Sequence, residues 1–138
     1  MAHVGRKMSE PSKTKQYRIK FDNRPEYLHA YIRADQDSYE ISKQFWQEIA
    51  DECGRVRPKR LLVEEDIDRP IESIADTYQG ASERPLMGLS GIKIAFLDTH
   101  PDQHEQNQFG ELVARNRGVN VKVFFDRKEA ENWLLADQ

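Results

Sequence analysis

The sequence predicts an α/β fold: a mixed sheet of about five strands with an N-terminal antiparallel hairpin and about four helices, in the order ββαβαβαβα. Three observations predict it. Two runs near the start, 17–21 and 28–34, alternate apolar with polar residues on either side of turn chemistry. Further on, short apolar runs alternate with amphipathic stretches of helical period, the pattern of parallel strands joined by right-handed crossovers. The chain has 138 residues, the size of one domain that buries a core of its own.

Tyr17, Ile19 and Phe21 alternate with Arg18, Lys20 and Asp22, which gives a strand with one buried face. Asp22-Asn23-Arg24-Pro25 suits a turn, because Asn and Asp tolerate unusual backbone angles and Pro presets one. Leu28, Ala30, Ile32 and Ala34 then alternate with His29, Tyr31 and Arg33, completing a hairpin. Asp37 followed by Glu40 matches a capping box, and Ile41, Phe45, Ile49 and Cys53 form one helical face that Gly54 is placed to end. Residues 60–65, preceded by Pro58, read as a buried strand whose acidic end leaves the sheet.

Ile71, Ile74, Ala75 and Tyr78 recur at helical spacing between Pro70 and Gly80. Arg84, Pro85 and Gly88 belong to a loop. Ile92, Ile94, Ala95, Phe96 and Leu97 form the next buried strand, ended by His100-Pro101-Asp102. Phe109, Leu112, Val113 and Asn116 share a helical face, and Gly118 sits where a left-handed cap is wanted. Val119, Val121, Val123, Phe124 and Phe125 make the last strand. Asp126 and Glu129 then cap a terminal helix carrying Ala130, Trp133 and Leu134. Residues 1–16 lack periodicity and are expected to be loose, ahead of a single domain over 17–136.

Hydrophobic residues make up 38% and charged residues 33%, with a net charge of -3, which suits a well-solvated surface. Basic and acidic residues are interleaved, so no nucleic-acid partner is expected. The exception is the start, where Arg6, Lys7, Lys13, Lys15, Arg18 and Lys20 outnumber Glu10; a solvated leader is its plainer explanation. The one cysteine, Cys53, allows no intrachain disulfide and fits a reducing compartment. No run approaches the ~20 apolar residues of a membrane span, and no signal-peptide core opens the chain. The expected location is cytoplasmic.

The element order and a set of local sequences resemble STAS domains (sulfate transporter and anti-sigma-factor antagonist), in a branch of small uncharacterised bacterial proteins. The resemblance runs from about Tyr17 to Leu135. Its carriers are Arg24-Pro25-Glu26-Tyr27-Leu28, Trp46-Gln47-Glu48-Ile49, Leu62-Val63-Glu64-Glu65-Asp66, Gly91-Ile92-Lys93-Ile94-Ala95-Phe96, Asn116-Arg117-Gly118 and the ending from Phe124-Phe125-Asp126 to Trp133-Leu134. It implies a STAS-like sheet and a regulatory role, since STAS domains act as anti-sigma-factor antagonists or as cytoplasmic modules of transporters. The antagonists are switched at a serine beside an aspartate after the central strand. This chain departs there: Glu64-Glu65-Asp66-Ile67-Asp68-Arg69-Pro70 holds no Asp-Ser pair, and Ser73 comes late. A phospho-switch, if present, falls on Ser73 or Thr77.

Ligands of open α/β sheets bind beyond the C-terminal ends of parallel strands. Two polar segments are expected there, Glu64, Glu65, Asp66 and Asp68 after one strand and Asp98, Thr99, His100, Asp102, His104, Glu105 and Asn107 after the next. One chemistry they offer is a metal site, with His100, His104 and Asp98 as ligands and Glu65 or Asp66 as base. The plainer reading makes Asp102 a helix cap paired with Glu105, and the histidines parts of a wet turn. Paired-carboxylate hydrolysis needs a cleft that drives two pKa values apart, and no sign of one is legible. Cys53 lies on an apolar stripe. Around Ser90 the nucleophile elbow lacks its second glycine, because Ile92 stands there. No cofactor and no definite metal ligand set is assigned.

Tyr27, His29 and Tyr31 face away from the Leu28 stripe. If no helix covers them, they form an aromatic partner surface. The expected function is therefore a non-catalytic STAS-like regulatory or interaction module that binds a protein partner, a second copy of itself, or a small ligand such as a nucleotide or lipid. The alternative is a small metal-assisted hydrolase built on His100, His104 and nearby carboxylates.

Overall fold

The computed structural model describes residues 6–8 and 16–136. Its strands are β1 (Arg6–Met8), β2 (Arg18–Asn23), β3 (Leu28–Gln36), β4 (Arg60–Arg69), β5 (Lys93–Asp98) and β6 (Asn120–Phe124). Its helices are α1 (Tyr39–Val56), α2 (Ile74–Glu83), α3 (His104–Asn116) and α4 (Arg127–Leu135), with 3-10 turns at Arg84–Met87 and Pro101–Gln103. The strands lie side by side in chain order in one sheet. β2 pairs antiparallel with both β1 and β3, and β3 to β6 run parallel. The expected mixed α/β architecture is present. β1 adds a sixth, three-residue strand inside the stretch 1–16 read as loose; residues 1–5 and 9–15, with Lys13 and Lys15 of the basic start, lie outside the described residues.

Period-two alternation decides which residues face which layer. On the inner face Ile19, Phe21, Leu28, Ala30, Ile32, Leu61, Val63, Ile94, Phe96 and Val121 pack with Phe45, Trp46, Ile49 and Val113 of the helices. On the outer face Leu62, Ala95, Leu97 and Phe124 pack with Ala130 and Leu134 of α4. Full burial of a side chain such as Phe45 or Leu62 contributes about 1.5–3 kcal/mol.

The element ends differ from the sequence reading in ways that bear on the site. Ser38, not Asp37, caps α1: its Oγ accepts from the Ile41 N–H at 3.1 Å. Asp37 instead accepts from the Ser38 N–H and is buried. α1 runs past Gly54 and stops at Arg57, in the left-handed region with φ 53°. Helix α2 begins after Ser73 rather than at Pro70, and it continues through Gly80 to Glu83. Its predicted apolar face is solvated, with Ile74 70% exposed; Ala81 is its buried residue. The segment read as a loop at Arg84 and Pro85 is a 3-10 turn. Asp102 lies in the turn before α3 and does not cap it. Gly118, at φ 95°, and the Asp126 cap on the Glu129 N–H are as expected.

The largest difference is β4. It does not leave the sheet at its acidic end but stays paired with β3 out to Gln36 opposite Arg69. Glu64, Glu65, Asp66 and Asp68 are therefore strand residues and alternate between faces.

Candidate functional site

That alternation divides the expected single polar site in two. Glu65 shares the inner face with Leu61, Val63 and Ile67, whereas Glu64, Asp66 and Asp68 point outward.

On the inner face, Glu65 meets Asp37 from the end of β3, Asp98 from the end of β5 and Arg84 from the 3-10 turn. Glu65 is 6% exposed, and its carboxylate makes no hydrogen bond or ion pair among the described residues. Burial, and then the charges of Asp37 and Asp98, push its pKa well above the carboxylate range. Burial likewise carries Asp37 up to about 7. Asp98 is raised by burial as well, although its Oδ1 accepts from the His100 N–H and its Oδ2 from Asn107. Burial lowers the Arg84 guanidinium to about 10, against the pull of Glu65 and Asp37. That guanidinium lies 4.2 Å over the Trp46 ring, and its Nε has no partner among the described residues. Asp37, Glu65 and Arg84 border a cleft between α2 and α3 with a cavity of about 60 Å³.

On the outer face the charges are paired. His29 Nε2 lies 3.0 Å from Glu64 Oε1, and Arg127 of α4 also bonds Glu64. The hydrogen bond from His29 outweighs burial and holds Glu64 low. Tyr31 donates to Asp66 Oδ2 at 2.8 Å, His100 Nε2 lies 2.9 Å from Asp66 Oδ1, and Arg33 reaches Asp68 at 3.0 Å. Burial would raise Asp66, but the bonds from His100 and Tyr31 and the charge of Arg33 hold it low. Tyr31 is pushed up to about 12 by burial and by its bond to Asp66.

The expected site residues fall as follows. Asp66, Asp68 and His100 come together, each with a ligand atom within 4.8 Å of the others'. Arg33 occupies the same cluster as a competing cation. His104 does not join His100: its ring rests on Phe125 at 4.5 Å, and its Nδ1 is buried without a partner among the described residues. Asn107 serves Asp98 on the other face. Tyr27 is not an exposed aromatic; it is buried, packs with the α4 cluster and donates to Glu131 at 2.6 Å. His29 and Tyr31 are half-buried, and no helix among the described residues covers them. Ser73 is committed as the α2 cap, accepting from the Asp76 N–H. Sequence reasoning missed Asp37, Arg84, Arg33 and Arg127 as site residues. Only Arg33 carried a legible signal, its place in the alternation with His29 and Tyr31.

No family model matches the sequence, and neither does any curated protein. Among solved structures, the chain is similar to an uncharacterised protein of the DUF3478 family with a SpoIIAA-like fold from Shewanella loihica. Identity is 14% and the TM-score 0.52, over 91% of this chain and 99% of that one. The fold is SpoIIAA-like. It is the STAS-like fold that the sequence resemblance implied. Among the described residues no helix is long and apolar enough to cross a membrane.

Proposed function

We propose that the chain is a non-catalytic, SpoIIAA-like regulatory module of the bacterial cytoplasm that holds a protein partner on the outer face of β2, β3 and β4. The observation that carries this reading is coverage. Helix α4 packs over β4, β5 and β6 and leaves a groove of about 680 Å³ above β2 and β3, floored by His29, Tyr31 and Arg33. Arg18 and Lys20 border the groove and have no ion pair among the described residues. Complementarity therefore favours an acidic partner surface. The lone Cys53 is buried, with its thiol pushed up to about 12 by burial, which suits a core residue rather than a nucleophile.

Native mass spectrometry of protein purified gently from its own cells tests the reading, with wild type beside Arg18→Glu/Lys20→Glu. A protein that rides with the wild type and is lost from the variant is the expected result. A dimer lost in the same way would make the partner a second copy, and a co-purified nucleotide or lipid would make it a small ligand. A partner held equally by both proteins would overturn the assignment of the face.

The metal-assisted hydrolase retains one observation in its favour, the cluster of Asp66, Asp68 and His100. It needs a cation to displace Arg33, and it loses His104. Stoichiometric metal in elemental analysis of the same sample would revive it.

A further inference from the structure

The inner cleft is unrelated to the outer groove, and its chemistry is different. Its deep end holds Glu65, a carboxylate more than nine-tenths buried, bordering the cavity and without a partner among the described residues. An ionised group left so is costly, by about 1–3 kcal/mol or more. Asp37 lines the same end, and Asp76 and Glu111 line the cleft further out. Asp98 adds its charge from the end of β5.

The amide side chains around them spend donors on the protein itself. Gln103 donates its amide N–H to the Ile67 carbonyl at 2.8 Å, and Asn107 donates its own to Asp98. Gln106 donates both of its amide N–H groups, to the Ile71 carbonyl and to Thr77 Oγ1, which leaves its carbonyl oxygen as an acceptor. Among the described residues Arg84 is the one cation lining the cleft; it forms no ion pair there and is stacked on Trp46. The walls are apolar, with Pro70, Ile71, Phe96, Val121 and Val123.

We propose that this cleft binds the ammonium group of a small alkyl amine, with Glu65 as its principal acceptor and the methylene stem against the apolar walls. An ammonium has three donors and accepts nothing, which matches an acceptor-rich pocket. The cavity of about 60 Å³ is far below the roughly 300–1,000 Å³ of drug-sized ligand sites, which suits a head group and not a cofactor. The apolar walls favour an alkylammonium over a hydrated metal ion, which gains nothing from them. Without the amine, protons neutralise the excess of Asp37 and Glu65. The amine replaces them, so binding strengthens with rising pH, against Asp37, Glu65, Asp76, Asp98, Glu111 and Arg84 as the charged groups facing the site.

The test is thermal melting of the full chain with n-butylamine hydrochloride at matched ionic strength, at pH 5.5 and pH 8. The expected result is a rise of about 2–4 °C at ligand well above its dissociation constant, larger at pH 8, with tetramethylammonium, which has no N–H donor, inactive. Glu65→Gln abolishes the rise. Gly80→Leu does so independently, because it plugs the mouth at an α2 position where a Cβ meets nothing within 4 Å. Equal shifts from butylammonium and tetramethylammonium, a larger shift from Mg²⁺, no shift in the wild type, or a shift retained in both variants would each overturn the proposal.

Discussion

Glu64, Glu65 and Asp66 are consecutive residues of one strand, yet the two faces of the sheet treat them oppositely. The outward pair is half-buried and hydrogen-bonded to His29, Arg127, Tyr31 and His100, and both carboxyls are held low. Glu65 faces inward with no partner among the described residues and is driven up. A carboxylate's burial costs little when each charge has a donor, and much when it has none. Paired faces are stable in themselves, while unpaired ones depend on protons, a neighbouring cation or a ligand.

The largest way to break this comparison is to remove the cation of the inner cleft, Arg84. Arg84→Met strips Asp37 and Glu65 of the cation that attracts them both and is expected to cost several kcal/mol at pH 8. The loss shrinks at pH 5, where both carboxyls hold protons. Urea unfolding at the two pH values measures it. An equal loss at both would mean that Arg84 acts by packing on Trp46 rather than by charge.

Next in size is the pH profile of the wild type, in which the faces pull in opposite directions. Asp37 titrates near 3.8 when unfolded and about 7 when folded. The native state then binds the proton more tightly, so stability falls as pH rises from about 4 to about 7, by roughly 2–4 kcal/mol. Glu64 and Asp66 have lowered folded values, so their contribution is present above their unfolded values and lost as pH falls through the folded ones. Stability should peak between about pH 4 and 5, below the usual window of about 5–8. Asp37→Asn should flatten the fall toward pH 7 and leave the acid side unchanged; a wild-type maximum at pH 7 would refute the inner-face assignment.

A smaller effect is expected at Tyr31→Phe, which removes one charge-assisted bond to Asp66. His100 and Arg33 stay in place, so the loss should be about 1–2 kcal/mol at pH 7 by chemical denaturation. A loss beyond that would mean that the outer network is as precarious as the inner one.

Much of this architecture was legible in the sequence. The hairpin alternation, the parallel strands and the Asp126 cap all follow from local period and chemistry. The site was legible only in part, and β4 explains why. Leu61, Leu62 and Val63 are apolar on both faces because both are covered there, so no alternation appears until Glu64, and an acidic run after an apolar one reads as a chain leaving the sheet. Ile67, buried two residues beyond Glu65 on the inner side, was the only local sign that the strand continued. Asp37 and Ser38 fit the cap position equally well by sequence, and only the choice of Ser38 frees Asp37 for the cleft. Arg84 has no local signature, since its burial against Trp46 arises from the meeting of α1 with the turn after α2.

The smallest expected effect sharpens the outer face most. Arg18 of β2 lies directly opposite Arg33 of β3 in register. Like charges so placed destabilise a sheet, while opposite charges contribute roughly 0.2–1 kcal/mol. Arg33 is answered by Asp66 and Asp68, but Arg18 has no ion pair among the described residues. Arg18→Glu alone should therefore raise stability by a few tenths of a kcal/mol, read as a small increase in the urea midpoint with an unchanged slope. If the same variant loses its partner while gaining stability, the positive charge at this position serves binding at a cost to the fold. If it loses stability, Arg18 has a structural role, and Lys20 becomes the residue on which the basic rim of the groove has to be tested.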